Sequence, residues 1–120
     1  MINDLWRSQS SKKIQEVGIN TMNDNVKQEY KNLILKAIAY HFPEAKVMLI
    51  GSRARGTNKP GSDIDLAIDI GEPIKLREMT RMRVTLENLP ISLGMDIVDM
   101  HNIPDELKAI IAREGIVWKN

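Results

Sequence analysis

The chain has 120 residues, 42% of them apolar and 28% charged, which fits one globular domain rather than two, and its formal net charge of +1 gives no cationic field that would hold long nucleic acid. It contains no cysteine, which excludes a disulfide framework, a thiolate metal site and a cysteine nucleophile. No apolar run approaches the roughly 18 residues needed to span a bilayer, and residues 1–11 lack the apolar core of a signal peptide; a soluble, cytoplasmic protein without membrane attachment is expected.

Residues 1–21 are polar and weakly patterned, with Leu5, Trp6, Ile14 and Val17 among their apolar groups. They read either as a short amphipathic helix or as a loose arm, and residues 22–120 as the domain. From Val26 the pattern turns helical: Val26, Tyr30, Leu33, Ile34, Ala37 and Ile38 form one stripe. Asn23 or Asp24 is placed to cap its start, and Pro43 ends it near His41. Val47 to Ile50 is a short continuous apolar run, the pattern of a buried strand. A connection rich in Gly, Arg and Pro follows from Gly51 to Ser62. Residues 63–70 then alternate strictly, with Asp63, Asp65, Ala67 and Asp69 on one face and Ile64, Leu66, Ile68 and Ile70 on the other.

Gly71 and Pro73 break that strand, and the spacing of Met79, Met82, Leu86 and Leu89 predicts a helix over residues 74–88, stopped by Pro90. Met95 to Met100 reads as a third strand. Pro104, Asp105 and Glu106 suit the first turn of a last helix, with Leu107, Ile110 and Ile111 as its buried stripe. Gly115 ends it, and Ile116 to Trp118 form a short edge strand. Lys75, Arg77, Arg81 and Arg83 give the third-quarter helix a basic face, either simply solvated or suited to an acidic partner.

The chemistry concentrates between Gly51 and Asp65. Asp63 and Asp65 leave the same face of a strand with Cα atoms about 7 Å apart. Two such anions repel unless a cation lies between them. Their hard oxygens suit Mg²⁺, with Mn²⁺ possible; zinc fits poorly, because only His41 and His101 offer nitrogen ligands. Mg²⁺ held by one or two carboxylates completes its shell with water and phosphate, so the pair points to a metal–triphosphate site. Gly51 lets backbone approach phosphate without a Cβ clash. The Ser52 hydroxyl and the N–H groups after it can donate to phosphate oxygens if residues 52–56 open a short helix. Arg53 and Arg55 either contact phosphate or make surface ion pairs, and Lys59 reads as a solvated loop residue.

Gly51-Ser52, ten intervening residues and Asp63-x-Asp65 resemble the signature of the DNA polymerase β nucleotidyltransferase superfamily. The Arg-x-Arg-Gly-Thr insert and the Ser-Asp-Ile-Asp-Leu ending resemble its smallest branch, the minimal nucleotidyltransferases, and the likeness runs from about Met22 to Trp118. The resemblance implies an α+β fold of polymerase β type, a small mixed sheet with helices packed on one face. It implies two Mg²⁺ ions on Asp63 and Asp65, with the triphosphate held there and on Ser52. It also implies a third carboxylate, Asp96, which binds the catalytic metal and positions or deprotonates the attacking hydroxyl. Asp96 is preferred because the family's third aspartate opens this Asp-x-Val-Asp pattern. Asp99, which leaves the other face of that strand, is the fallback. The activity implied is transfer of AMP from ATP to a tyrosine of a HEPN-domain toxin, the protein acting as antitoxin in a homo- or hetero-oligomer. Two other readings remain open: an antitoxin that neutralises by binding alone, and a nucleotidyltransferase acting on a small molecule of aminoglycoside type.

Overall fold

The computed structural model describes residues 25–120. The arm or helix expected over residues 1–21, and the cap expected at Asn23 or Asp24, lie outside the described residues. Helix α1 spans Gln28–His41, with Lys27 at its N-cap and Phe42 closing its end onto the Ile38 carbonyl. Strand β1 (Lys46–Ile50) runs directly into α2 (Gly51–Arg55), a single short turn of helix. Strand β2 (Ile64–Asp69), α3 (Leu76–Glu87), β3 (Met95–Asp99), α4 (Asp105–Glu114) and β4 (Ile116–Lys119) complete the chain.

The four strands form one mixed sheet in the order β3-β2-β1-β4. β1 pairs antiparallel with β2 and with β4, while β2 and β3 run parallel. A parallel pair needs a crossover connection, and α3 supplies it. One face of the sheet presents Val47, Leu49, Ile64, Leu66, Ile68, Ile97 and Trp118. Helices α1 and α3 cover that face with Ile34, Ala37 and Ile38, and with Met79, Met82 and Leu86. Both sets recur at steps of three and four, so each helix turns one stripe inward. His41 ties the two helices together through a 2.7 Å hydrogen bond between its Nε2 and the Thr85 hydroxyl.

The helical layer over one face, expected from the sequence, holds for α1 and α3. The last helix departs from it. The side chains of Leu107, Ile110 and Ile111 face Ile50, Asp65, Asp96 and Val98 from the opposite side of the sheet. Of the expected buried stripe only Ile111 is buried; Ile110 is 40% exposed. The reason lies in the layer below: the face that α4 meets is the one bearing carboxylates, and an apolar helix cannot seal against it.

The connection from α2 to β2 is held by Arg53, whose side chain is buried. Its Nε donates to the Ser62 carbonyl (3.1 Å), one Nη to the Asn25 carbonyl (2.6 Å), and the other to the carbonyls of Pro60 (3.1 Å) and Ser62 (2.9 Å). One guanidinium thus pins both ends of the loop and the segment that precedes α1. Lysine carries the charge but not the planar fork that serves three carbonyls at once. Arg53→Lys should therefore lower stability by about 1–3 kcal/mol, the cost of partly buried acceptors left without donors. Urea melts of the two proteins, with limited proteolysis across residues 56–62, measure both the loss and its location.

Candidate functional site

The register of the parallel strands builds the site. Asp65 stands opposite Asp96, with Ala67 opposite Val98, on the face away from α1 and α3. Ile50 stands opposite Asp65 on the other side. Gly51 follows at once with φ +75°, and a Cβ there would overlap the Asp65 Oδ2. The turn from β1 into α2 can pass beside the carboxylate only because residue 51 has no side chain. At the start of β2, the Ile64 N–H donates to the Gly94 carbonyl at 2.8 Å. A Cβ at Gly94 would lie 2.6 Å from the Asp63 Oδ1, so Asp63 rests over a second glycine.

These residues open into a cleft of about 200 Å³ lined by Ile50, Gly51, Arg55, Asp65, Asp96, Val98 and, from α4, Leu107, Ile110, Ile111 and Glu114. Burial pushes the Asp65 carboxyl above the ordinary carboxylate range, and the charges of Asp96 and Asp63 push it further in the same direction; Arg55 opposes them. Three carboxylates that disturb one of their number, with one guanidinium in partial compensation, form a centre short of positive charge. The donor set, hard oxygen throughout, fits Mg²⁺. Among the described residues no three acidic or histidine side chains converge into a ready-made cage. A cation here would take one or two of the carboxylates and draw its other ligands from water and a phosphate-bearing substrate.

The structure brings Gly51, Arg55, Asp65 and Asp96 together around the cleft, with exposed Asp63 at its margin, close enough to act on Asp65 electrostatically. Ser52 is the second residue of α2, and among the described residues its hydroxyl has no hydrogen-bond partner. Its carbonyl accepts the N–H groups of Gly56 and Thr57, which ends the helix. Arg53 is not brought to the cleft: its donors are spent on the loop carbonyls, so the expectation that it binds nucleotide gives way to a structural role. Two residues on, Arg55 points the other way and pairs with Glu114 at 3.6 Å.

Asp99, the fallback third carboxylate, lies on the core face opposite Ile68 and is buried. Its oxygens accept the N–H groups of Ile74 (2.8 Å) and His101 (2.9 Å), so it fastens the entry to the crossover against the turn that follows β3. Asp69 shares a face with Asp65 but sits at the far end of β2. There it accepts the Gly71 N–H and the His101 Nε2, each at 2.7 Å, and the Gly71 bond foremost holds its carboxyl below the ordinary range.

Leu107, Ile110 and Glu114 escaped the sequence reading as site residues. One signal was present: Glu114 follows Leu107 by seven residues, so it falls on the same helical stripe and places a charge where a sealed face would carry none.

The Asp65 carboxyl binds its proton more tightly in the folded chain than in the unfolded one. Its contribution to stability is therefore greatest below the ordinary carboxylate pKa and is lost as pH rises through the raised folded value. Asp65→Asn should raise Tm at pH 7 in the absence of divalent cations, with the gap from wild type shrinking toward pH 3. Thermal melts across that range measure it, and added Mg²⁺ should raise the wild-type Tm more than that of the variant.

The polymerase β nucleotidyltransferase family ("Polymerase beta, Nucleotidyltransferase") matches residues 32–119, which spans all four strands and the helices α2 and α4 that border the cleft. Among similar proteins is the "probable protein adenylyltransferase MntA" of Haemophilus influenzae, 25% identical over 93 residues, covering 78% of this chain and 82% of that protein. The fold is shared with a crystal structure of a toxin–antitoxin with AMP-PNP, at TM-score 0.64 and 22% identity, covering 73% of this chain and 71% of that one. It is shared as well with a chain of a complex between a tri-AMPylated Shewanella oneidensis HEPN toxin and an MNT antitoxin, at TM-score 0.62 and 19% identity, covering 78% and 71%. With the family matched across most of its length, the in-register Asp65–Asp96 pair and the glycine-opened turn beside it take their place in a known fold: the chain belongs to the polymerase β nucleotidyltransferase family.

Proposed function

We propose that this nucleotidyltransferase is a protein adenylyltransferase of the MntA kind, moving AMP from ATP to a tyrosine hydroxyl of a HEPN-domain toxin and so serving as its antitoxin. The observation that carries this reading is the pairing of Asp65 with Asp96 on adjacent parallel strands, beside Gly51 and Arg55. The similarity to MntA and to antitoxin chains supports the choice of acceptor. A chain without cysteine suits the reducing cytoplasm, where ATP is at hand.

Asp63, Asp65 and Asp96 would hold Mg²⁺, two ions in the full complex. Bound there, the metal neutralises triphosphate charge and lowers the pKa of the attacking hydroxyl. The chain's own groups do the rest. The Ser52 hydroxyl and the open N–H groups at the start of α2 donate to the β- and γ-phosphates. Arg55, 47% exposed and held among the described residues by a long ion pair to Glu114, can swing onto the phosphate chain. Asp96 orients the acceptor hydroxyl and accepts its proton. The cleft of about 200 Å³ is smaller than the ~300–1,000 Å³ of a typical ligand pocket. Part of the substrate set must therefore project from it, which suits an acceptor carried on another protein.

Incubation of the protein with Mg²⁺, α-labelled ATP and the HEPN partner should label the partner on a denaturing gel, and Asp63→Ala/Asp65→Ala should abolish the band together with neutralisation of the toxin. A double variant that still neutralises would replace this reading with one of binding alone. Arg55→Ala should raise KM for ATP about tenfold, the loss of one charge-assisted contact, whereas Arg53→Lys, compared at a temperature where both are folded, should leave KM for ATP close to wild type.

A further inference from the structure

Asp63 and Asp65 lie along the same neighbouring strand and meet different things there. In the parallel register Ile64 stands opposite Met95 and Asp65 opposite Asp96. One residue before each strand, Asp63 meets Gly94, and the Ile64 N–H donates to the Gly94 carbonyl at 2.8 Å. Leu93 and Met95, on either side of the glycine, pack against the core. Residue 94 therefore faces away from the core, on the side of Asp63, Asp65 and Asp96. A Cβ built on it would lie 2.6 Å from the Asp63 Oδ1, 3.2 Å from its Cγ and 3.6 Å from its Oδ2. The carboxylate occupies the space that a side chain at 94 would need.

The backbone does not demand glycine here, since the glycines in the left-handed region are Gly51, Gly56 and Gly71. Gly94 is also exposed, so no interior packing excludes a methyl group. Gly51 differs, because its φ of +75° and its contact with Asp65 both exclude a side chain. Asp63 differs in turn from Asp69 and Asp99, whose oxygens accept hydrogen bonds; among the described residues none holds the Asp63 carboxylate.

We propose that Gly94 is a positioning residue: its missing side chain seats the Asp63 carboxylate beside Asp65, and so sets how firmly the two take a divalent cation. This rests on the reading of Asp63 and Asp65 as cation ligands. A carboxylate oriented by hydrogen bonds gives up lone pairs to the donors that hold it, whereas one oriented by close contact keeps both oxygens free as ligands. A methyl group at residue 94 would push the carboxylate off this seat, keeping its charge and changing its direction.

Mn²⁺ binding by the full chain, read from loss of the free-ion EPR signal, tests this without turnover. Gly94→Ala should weaken binding about tenfold, the scale of losses when the groups that orient a metal ligand are altered. Gly61→Ala, at a glycine with nothing within 4 Å of its Cβ position, should stay within about twofold of wild type. In an Asp63→Ala background, adding Gly94→Ala should change nothing further, because the two positions act through one contact. Equal weakening in both backgrounds, or none in the wild-type background, overturns the role of Gly94 and leaves the adenylyltransferase reading standing. Unchanged Mn²⁺ binding in Asp63→Ala alone, or no binding by the wild type, would instead remove Asp63 as a ligand and the proposal with it. Melting in chelator decides the case in which Gly94→Ala does not fold. Asp63→Ala/Gly94→Ala should then fold, because the overlap is gone, and a double variant that also fails to fold refutes the seat.

Discussion

The rest of the structure is arranged around a repulsion. Asp65 and Asp96 stand opposite one another on adjacent strands, a placement that weakens a sheet. Burial and the nearby charge of Asp63 make it worse, as the raised proton affinity of Asp65 records. The fold accepts this arrangement because its stability is generated elsewhere. The same two strands present Leu66 and Ile97 to the opposite face, in register and fully within the core under α1 and α3. Each such side chain contributes roughly 1.5–3 kcal/mol on burial. One face of the sheet thus supplies the cohesion that lets the other face hold unbalanced charge.

Two arginines separated by one residue divide the labour at the adjoining turn. A single turn of helix sends Arg53 inward and Arg55 outward. The first is consumed by the carbonyls of Asn25, Pro60 and Ser62, and this ties the loop that leads into β2 to the segment before α1. The second keeps a long, half-exposed pair with Glu114 and offsets part of the negative charge around Asp65. A loop of eight residues between α2 and β2, rich in Gly, Pro and polar side chains, gains from Arg53 the rigidity that its own composition would not give.

Much of this was legible in the sequence. The period-two run from Asp63 to Ile70 set the faces of β2, and the steps of three and four in α1 and α3 named nearly every core residue they contribute. The glycine–serine turn and the two spaced aspartates pointed to the segment where Gly51 and Asp65 border the cleft. The division between Arg53 and Arg55 was not legible, because both lie in the same polar loop and only the tertiary approach of three carbonyls separates them. Nor could periodicity choose between Asp96 and Asp99. Alternation shows that they leave opposite faces, but the parallel register with β2 and the N–H groups of Ile74 and His101 decide which faces the cleft.

The last helix shows the limit of an amphipathic stripe as a guide. Leu107, Ile110 and Ile111 carry the spacing of a buried face, and spacing says nothing about what that face meets. The sheet had already spent its core side on α1 and α3, so α4 was left the side with Asp65, Asp96 and Val98. Of Leu107, Ile110 and Ile111 only the last is buried there. Leu107 and Ile110 border the cleft and stay partly open, because the face beneath them carries Asp65 and Asp96.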